Sequence, residues 1–327
     1  MLDLALSTIL SPIVLFFVLG LFAALMRSQM SVPEAFAKGL AIYLMMAIGL
    51  KGGVEMSKAT LGLELLGMVV FALALSFLIP VLSYALLRAT TRLSRVDAAA
   101  TAGHYGSISI VTFVAATQAL ALAGIASSGS LVAMAAVMEV PAIISALMLA
   151  RRGGKTAELP GSESGELMRE VFLNASVVVL IGALLIGWAA GADGFVPLEP
   201  FFVAPFQGVL CLFLLDMGLS AGRGLRQGWR DLGLTTIAFG IYMPLISAVI
   251  AAAGCWALGL SVGDSALFIT LSASASYIAV PAAMRLALPT AKPSIYLTMS
   301  LGVTFPFNLT VGIPLYILMA QWIAGAG

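Results

Sequence analysis

Apolar runs of about 20 residues, the length that spans a bilayer, recur ten times along this chain and constrain its fold more than any other feature. In hydrocarbon, backbone N–H and C=O groups must be bonded within the chain, so only helices and closed barrels can span. Runs of this length are read as membrane helices. The expected fold class is an all-α membrane protein with ten transmembrane helices. Their predicted extents are 5–26, 32–53, 63–87, 96–123, 130–150, 171–190, 201–222, 232–258, 263–286 and 294–324. Pro80, Pro141, Pro244, Pro281, Pro306 and Pro314 fall inside these windows. Neighbouring helices can satisfy the carbonyls a proline frees, so no window is split there.

Composition agrees. Hydrophobic residues make up 61% and charged residues 9%, where a soluble domain carries about 25% charge. A net charge of +1 gives no reason to expect a nucleic-acid partner. Cys211 and Cys255 lie in apolar runs and read as small hydrophobes, not as a disulfide or metal site. The first apolar run lacks a basic region before it and is expected to be a retained helix, not a signal peptide.

Basic residues set the orientation. Arg27, Arg88, Arg92, Arg95, Arg151, Arg152, Lys155, Arg169, Arg223, Arg226, Arg230, Arg285 and Lys292 all follow odd-numbered helices. Only Lys51 and Lys58 lie on the opposite side, with Lys38 inside helix 2. By the positive-inside rule both termini face outside and the Arg151–Glu170 loop is cytoplasmic. The setting is the cell inner membrane, crossed many times.

The chain reads as two repeats, 1–150 and 171–327, joined by the 151–170 loop. Lys38–Gly53 aligns without gaps on Gln207–Gly222, so that Gly39, Gly49 and Gly53 meet Gly208, Gly218 and Gly222. Pro80 with Ser83 matches Pro244 with Ser247, and Asp97 matches Asp264. Each unit holds five helices, an odd number, so the second is inverted.

Two stretches break this apolar pattern at mid-depth. Ala100-Thr-Ala-Gly-His-Tyr-Gly-Ser-Ile-Ser109 interrupts helix 4, and Ser272-Ala-Ser-Ala-Ser-Tyr-Ile-Ala-Val-Pro281 interrupts helix 9. Interrupted helices in corresponding places of two halves point to a transporter binding site. A restarted half-helix offers free N–H groups and about half a positive charge, a site for an anion. Gly103, Tyr105, Gly106, Ser107, Ser109, Ser276, Tyr277, Ala279 and Val280 are the candidate substrate contacts. Ser107, Ser109, Glu139, Ser274, Ser276 and Thr304 are the candidate ligands for a coupling cation. The simpler alternative is that small residues here only let helices 4 and 9 cross closely. Glu139 can equally be a protonated structural acid, and His104 a hydrogen-bonded structural histidine. Lys38 and Asp216 lie at similar depth on the repeat-related helices 2 and 7 and are expected to form an ion pair, with lone snorkelling of Lys38 the competing idea.

The motifs resemble the cyanobacterial-type sodium-dependent bicarbonate transporter family along nearly the whole chain. The similar elements are Ile48-Gly-Leu-Lys-Gly-Gly53, Val96-Asp-Ala-Ala-Ala-Thr-Ala-Gly-His-Tyr-Gly106, Met138-Glu-Val-Pro-Ala142 and Met217-Gly-Leu219. The most specific is Arg285-Leu-Ala-Leu-Pro-Thr-Ala-Lys-Pro-Ser-Ile-Tyr296. The resemblance implies a core domain of helices 3–5 and 8–10 moving against a gate domain of helices 1, 2, 6 and 7. It also implies a homotrimer, bicarbonate import with sodium, and a PII-like cytoplasmic regulator. The family's acid in the second break is Tyr277 here, its Ser-Gly is Ala279–Val280, and its Ser-Gly-Ser in helix 4 reads Ser109-Ile-Val111. The family's acid in helix 5 remains as Glu139.

The reading is a secondary transporter importing a small anion, bicarbonate first, with sodium. A proton-coupled carrier of another small monocarboxylate or inorganic anion is the alternative. No cofactor or resident metal is expected beyond the transported sodium ion. An intramembrane enzyme would need a nucleophile–base pair or metal ligands, and one histidine with no Gly-x-Ser-x-Gly argues against it.

Overall fold

The computed structural model describes residues 10–58, 62–151, 175–228, 232–277, 280–281, 283–284 and 288–325. Among these, every regular element is a helix. In chain order they are α1 (Pro12–Leu25), α2 (Glu34–Lys58), α3 (Leu63–Thr90), α4 (Arg95–Gly106), α5 (Ile110–Leu122), α6 (Ser130–Val137) and α7 (Glu139–Arg151). The second half has α8 (Ala175–Phe195), α9 (Glu199–Phe202), α10 (Phe206–Gly228), α11 (Leu234–Ala257) and α12 (Val262–Ala273). It closes with α13 (Pro293–Leu297), α14 (Phe305–Phe307) and α15 (Ile313–Gly325). Eight stretches are long and apolar enough to cross a membrane, and α1 and α12 are shorter apolar helices. Most of the Arg151–Glu170 loop, and Ala279, lie outside the described residues.

Prolines act as their neighbours allow. Pro80 and Pro244 sit inside the unbroken helices α3 and α11. Pro141 does not: predicted helix 5 is interrupted at Met138, between α6 and α7. A proline lacks its N–H and crowds the carbonyl four residues earlier, here that of Val137. The Ser76 hydroxyl donates to the Met138 carbonyl at 2.5 Å and so meets a carbonyl beside the kink. Around Pro306 and Pro314 the last helix loosens into two π-helical turns, Thr298–Thr304 and Asn308–Gly312.

Glycines weld two helix pairs. On α1 and α10, a Cβ at Gly20 would strike the Leu215 carbonyl, and one at Gly218 the Phe17 carbonyl. On α2 and α8, a Cβ at Gly53 would strike the Leu184 carbonyl, and one at Gly187 the Leu50 carbonyl. Only glycine lets the backbones approach this closely, as in other small-residue membrane interfaces. Each seam joins a helix of the first half to one of the second. The remaining helices interlock beside them: α4 packs on α3 and α7, α12 packs on α11 and α15, and α5 lies against α12.

Candidate functional site

Two short helices deliver the site. Ser94 caps α4 by accepting from the Asp97 amide at 3.0 Å, and Ser261 caps α12 by accepting from the Asp264 amide at 3.1 Å. These caps satisfy amides that a helix start leaves unbonded. The two aspartates also reach across the molecule. Asp97 accepts from the Lys292 amide at 2.8 Å, ahead of α13, and Asp264 accepts from the Ser128 amide at 2.6 Å, ahead of α6. Both helices run 12 residues and stop at a serine in extended conformation, Ser107 (ψ 158°) and Ser274 (ψ 165°).

The two ends meet. The Ser276 amide donates to the His104 carbonyl at 2.8 Å, and His104 Nδ1 donates to the Ser276 carbonyl at 2.5 Å. The Ser109 amide donates to Ser274 Oγ at 2.8 Å, and the Ser274 hydroxyl in turn donates to the Leu271 carbonyl at 2.8 Å. Ser109 then caps α5, accepting from the Thr112 amide at 3.2 Å. The Ile110 and Val111 amides at the start of α5 have no bond among the described residues. Asn308 donates to the Ala273 carbonyl at 2.9 Å, closing the end of α12.

Five buried side-chain atoms lack a hydrogen bond among the described residues, and four of them belong to the breaks: His104 Nε2, Ser107 Oγ, Ser272 Oγ and Tyr277 OH. Orphaned polar groups are costly and call for a reason. The His104 ring lies stacked on Tyr296, 4.8 Å between centroids. Beside the crossing is a cavity of about 10 Å³. Ser109, Glu139, Ser276 and Tyr277 give it polar walls, and Ile108, Ile110, Met45 and Leu180 apolar ones. That is room for about one water or one bare cation. Met45 on α2 and Leu180 on α8 come from the glycine-welded pair. Being apolar in apolar runs, they carry no sequence signal for this role.

A second cavity of about 490 Å³ is also lined by α2 and α5, but by none of the residues of the small one. Ala47, Ile48, Lys51 and Glu55 line one side, and Phe113, Val114, Thr117 and Gln118 another. Gln207 Nε2 donates to Gln118 Oε1 at 3.2 Å across it. Phe113 lies three residues from Ile110, about 4.5 Å along the helix.

Several expected site residues face elsewhere. A Cβ on Gly106 would meet the Pro80 ring and the Ser76 carbonyl, so this glycine serves the packing of α4 on α3. Gly106→Ala is therefore expected to lower the melting temperature in detergent while leaving the substrate KM of the surviving protein unchanged. A raised KM with unchanged melting would return Gly106 to the site. Gly103 packs on Ala146 and Met284. Tyr105 donates to Thr304 Oγ1 at 2.7 Å, and Thr304 donates to the Gly240 carbonyl at 2.8 Å, which leaves it occupied by its neighbours. Val280 is buried in the cluster of Ala99, Ile143 and Met284. The expected Lys38–Asp216 pair does not form. Helix α2 begins at Glu34, so Lys38 is one turn in and pairs with Glu34 at 2.7 Å, its side chain 71% exposed. Such spacing by four places the two on one helix face. Asp216 is buried, 6% exposed.

No curated protein matches this chain. The model of the Na⁺-dependent bicarbonate transporter superfamily matches residues 12–321. Matched over nearly its whole length, the chain belongs to the Na⁺-dependent bicarbonate transporter superfamily.

Proposed function

We propose that this protein imports bicarbonate together with sodium by alternating access. The observation that carries the reading is the small cavity where Glu139 meets Ser109, Ser276 and Tyr277 at the helix crossing. Oxygen ligands suit hard cations, and one carboxylate supplies the charge a sodium ion needs. Ser107, whose hydroxyl is unpartnered, lies in the same break. The anion sits at the start of α5, on the Ile110 and Val111 amides, where the helix dipole is positive. The Ser109 amide is already given to Ser274, so the anion site begins one residue later than the sequence indicates. A cavity of about 10 Å³ does not admit bicarbonate as it stands. The core must move against Met45 and Leu180 of the gate, and the 490 Å³ cavity is the outer approach.

The rest of the proposal is architectural. Ten helices form two inverted repeats, supported by the matched caps, the matched Asp97 and Asp264 bridges and the equal lengths of α4 and α12. Helices 1, 2, 6 and 7 form the gate and the others the core, in a homotrimer with both termini outside. The test is uptake of labelled bicarbonate into proteoliposomes with and without an inward sodium gradient. Uptake driven by the sodium gradient is expected. Uptake that follows a pH gradient and ignores sodium would overturn the coupling, and none under either gradient would overturn the substrate.

A further inference from the structure

At the end of the α1–α10 seam opens a cavity of about 210 Å³, separate from the crossing. Arg27, Arg223 and Arg226 converge on it with Ser28, over a floor of Ala24 and Leu219. No carboxylate is among the residues that line it. Arg226 donates to the Ala24 carbonyl at 3.0 Å, which fixes one guanidinium across the seam.

Arg27 is the unusual member. It is the one non-glycine among the described residues with positive φ, at 60°. Its amide bonds the Ala24 carbonyl at 3.2 Å, and the Ser28 amide bonds the Ala23 carbonyl at 2.9 Å, the pattern that ends a helix with a left-handed residue. Glycine normally holds that place because a Cβ is penalised there. An arginine accepts the penalty and places a guanidinium at the rim of the cavity. Cations do favour helix C-termini, but Arg226 already serves the Ala24 carbonyl, so the end of α1 does not require a second one.

We propose that this cavity binds a phosphate group, supplied by a lipid headgroup or by free phosphate. Planar guanidinium forks match phosphate oxygens in pairs, and basic pockets between membrane helices hold phosphate headgroups. The site lies on the gate, away from Glu139, so its test is independent of transport.

The experiment uses the full chain in neutral detergent, with dioctanoyl phosphatidylglycerol and inorganic phosphate as probes and dioctanoyl phosphatidylcholine as the control lipid. Retention of lipid is read by native mass spectrometry and binding of phosphate by thermal shift. Arg27→Gly removes the guanidinium while relieving the backbone, so its melting without probe should equal or exceed that of the parent. Arg223→Gln is the second variant. Each should weaken binding roughly fivefold, with Arg27→Lys between parent and glycine. A drop confined to phosphatidylglycerol assigns the site to lipid, and one seen with inorganic phosphate assigns it to the free anion. Unchanged binding in both variants, equal retention of phosphatidylcholine, or no binding of either probe would overturn the proposal.

Discussion

Glu139→Gln is expected to raise the sodium concentration for half-maximal bicarbonate uptake by about a hundredfold or more, with the protein still folded. The substitution keeps the shape of a side chain that is 5% exposed and removes only its charge. A unit charge about 4 Å from a cation contributes roughly 4 kcal/mol at an effective dielectric of about 20, close to three decades in affinity. The hydroxyls of Ser109, Ser276 and Tyr277 would remain around the same cavity, but they are neutral. Sodium dependence of initial uptake rates in proteoliposomes checks the point. An unchanged sodium dependence would remove Glu139 from the cation site and leave it a structural acid beside the Met138 kink.

The second large effect concerns stability. Gly53→Ala and Gly218→Ala are each expected to cost roughly 1–3 kcal/mol, the range for overpacking. In both, the new methyl would meet a backbone carbonyl, of Leu184 or of Phe17, which cannot rotate aside as a side chain would. Gly39 and Gly208 provide the contrast. They align in the same repeat, yet nothing lies within 4 Å of a Cβ built on either. Alanine there should be neutral or gain about 0.5–1 kcal/mol of helix stability. Thermal melting of the four variants in one detergent is the measurement. If all four melt alike, the seams do not hold the pairs together.

The sequence makes depth legible but not rotation, and the site divides along that line. Length and hydropathy place Ser109, Glu139 and Ser276 in one layer of the membrane, and the structure brings them to one cavity. The breaks are visible because glycines and hydroxyls do not belong in the middle of an apolar run. Gly106 and Val280 occupy the same layer but point into helix packing, since each residue turns about 100° round the axis. Depth alone also suggested Lys38 with Asp216. It could not show that Lys38 pairs with Glu34, one turn away on the same helix. The break at Met138 is written in Pro141, but the identical residue leaves α3 unbroken at Pro80. At the break the Ser76 hydroxyl meets the Met138 carbonyl, and a neighbour from a distant helix has no local signature.

The glycine seams also bear on how the chain is made. Gly20 finds its partner at Leu215 and Gly49 finds its own near Ala183, each in the later half. Between residue 20 and residue 215 the ribosome adds 195 residues, about 10–40 s at roughly 5–20 residues per second. For that interval the narrow face of α1 lacks the helix that covers it in the folded chain. Lipid, or the insertion machinery, must cover that face until α10 arrives. Assembly of this protein is thus largely a post-insertion event, in which early helices wait for late ones.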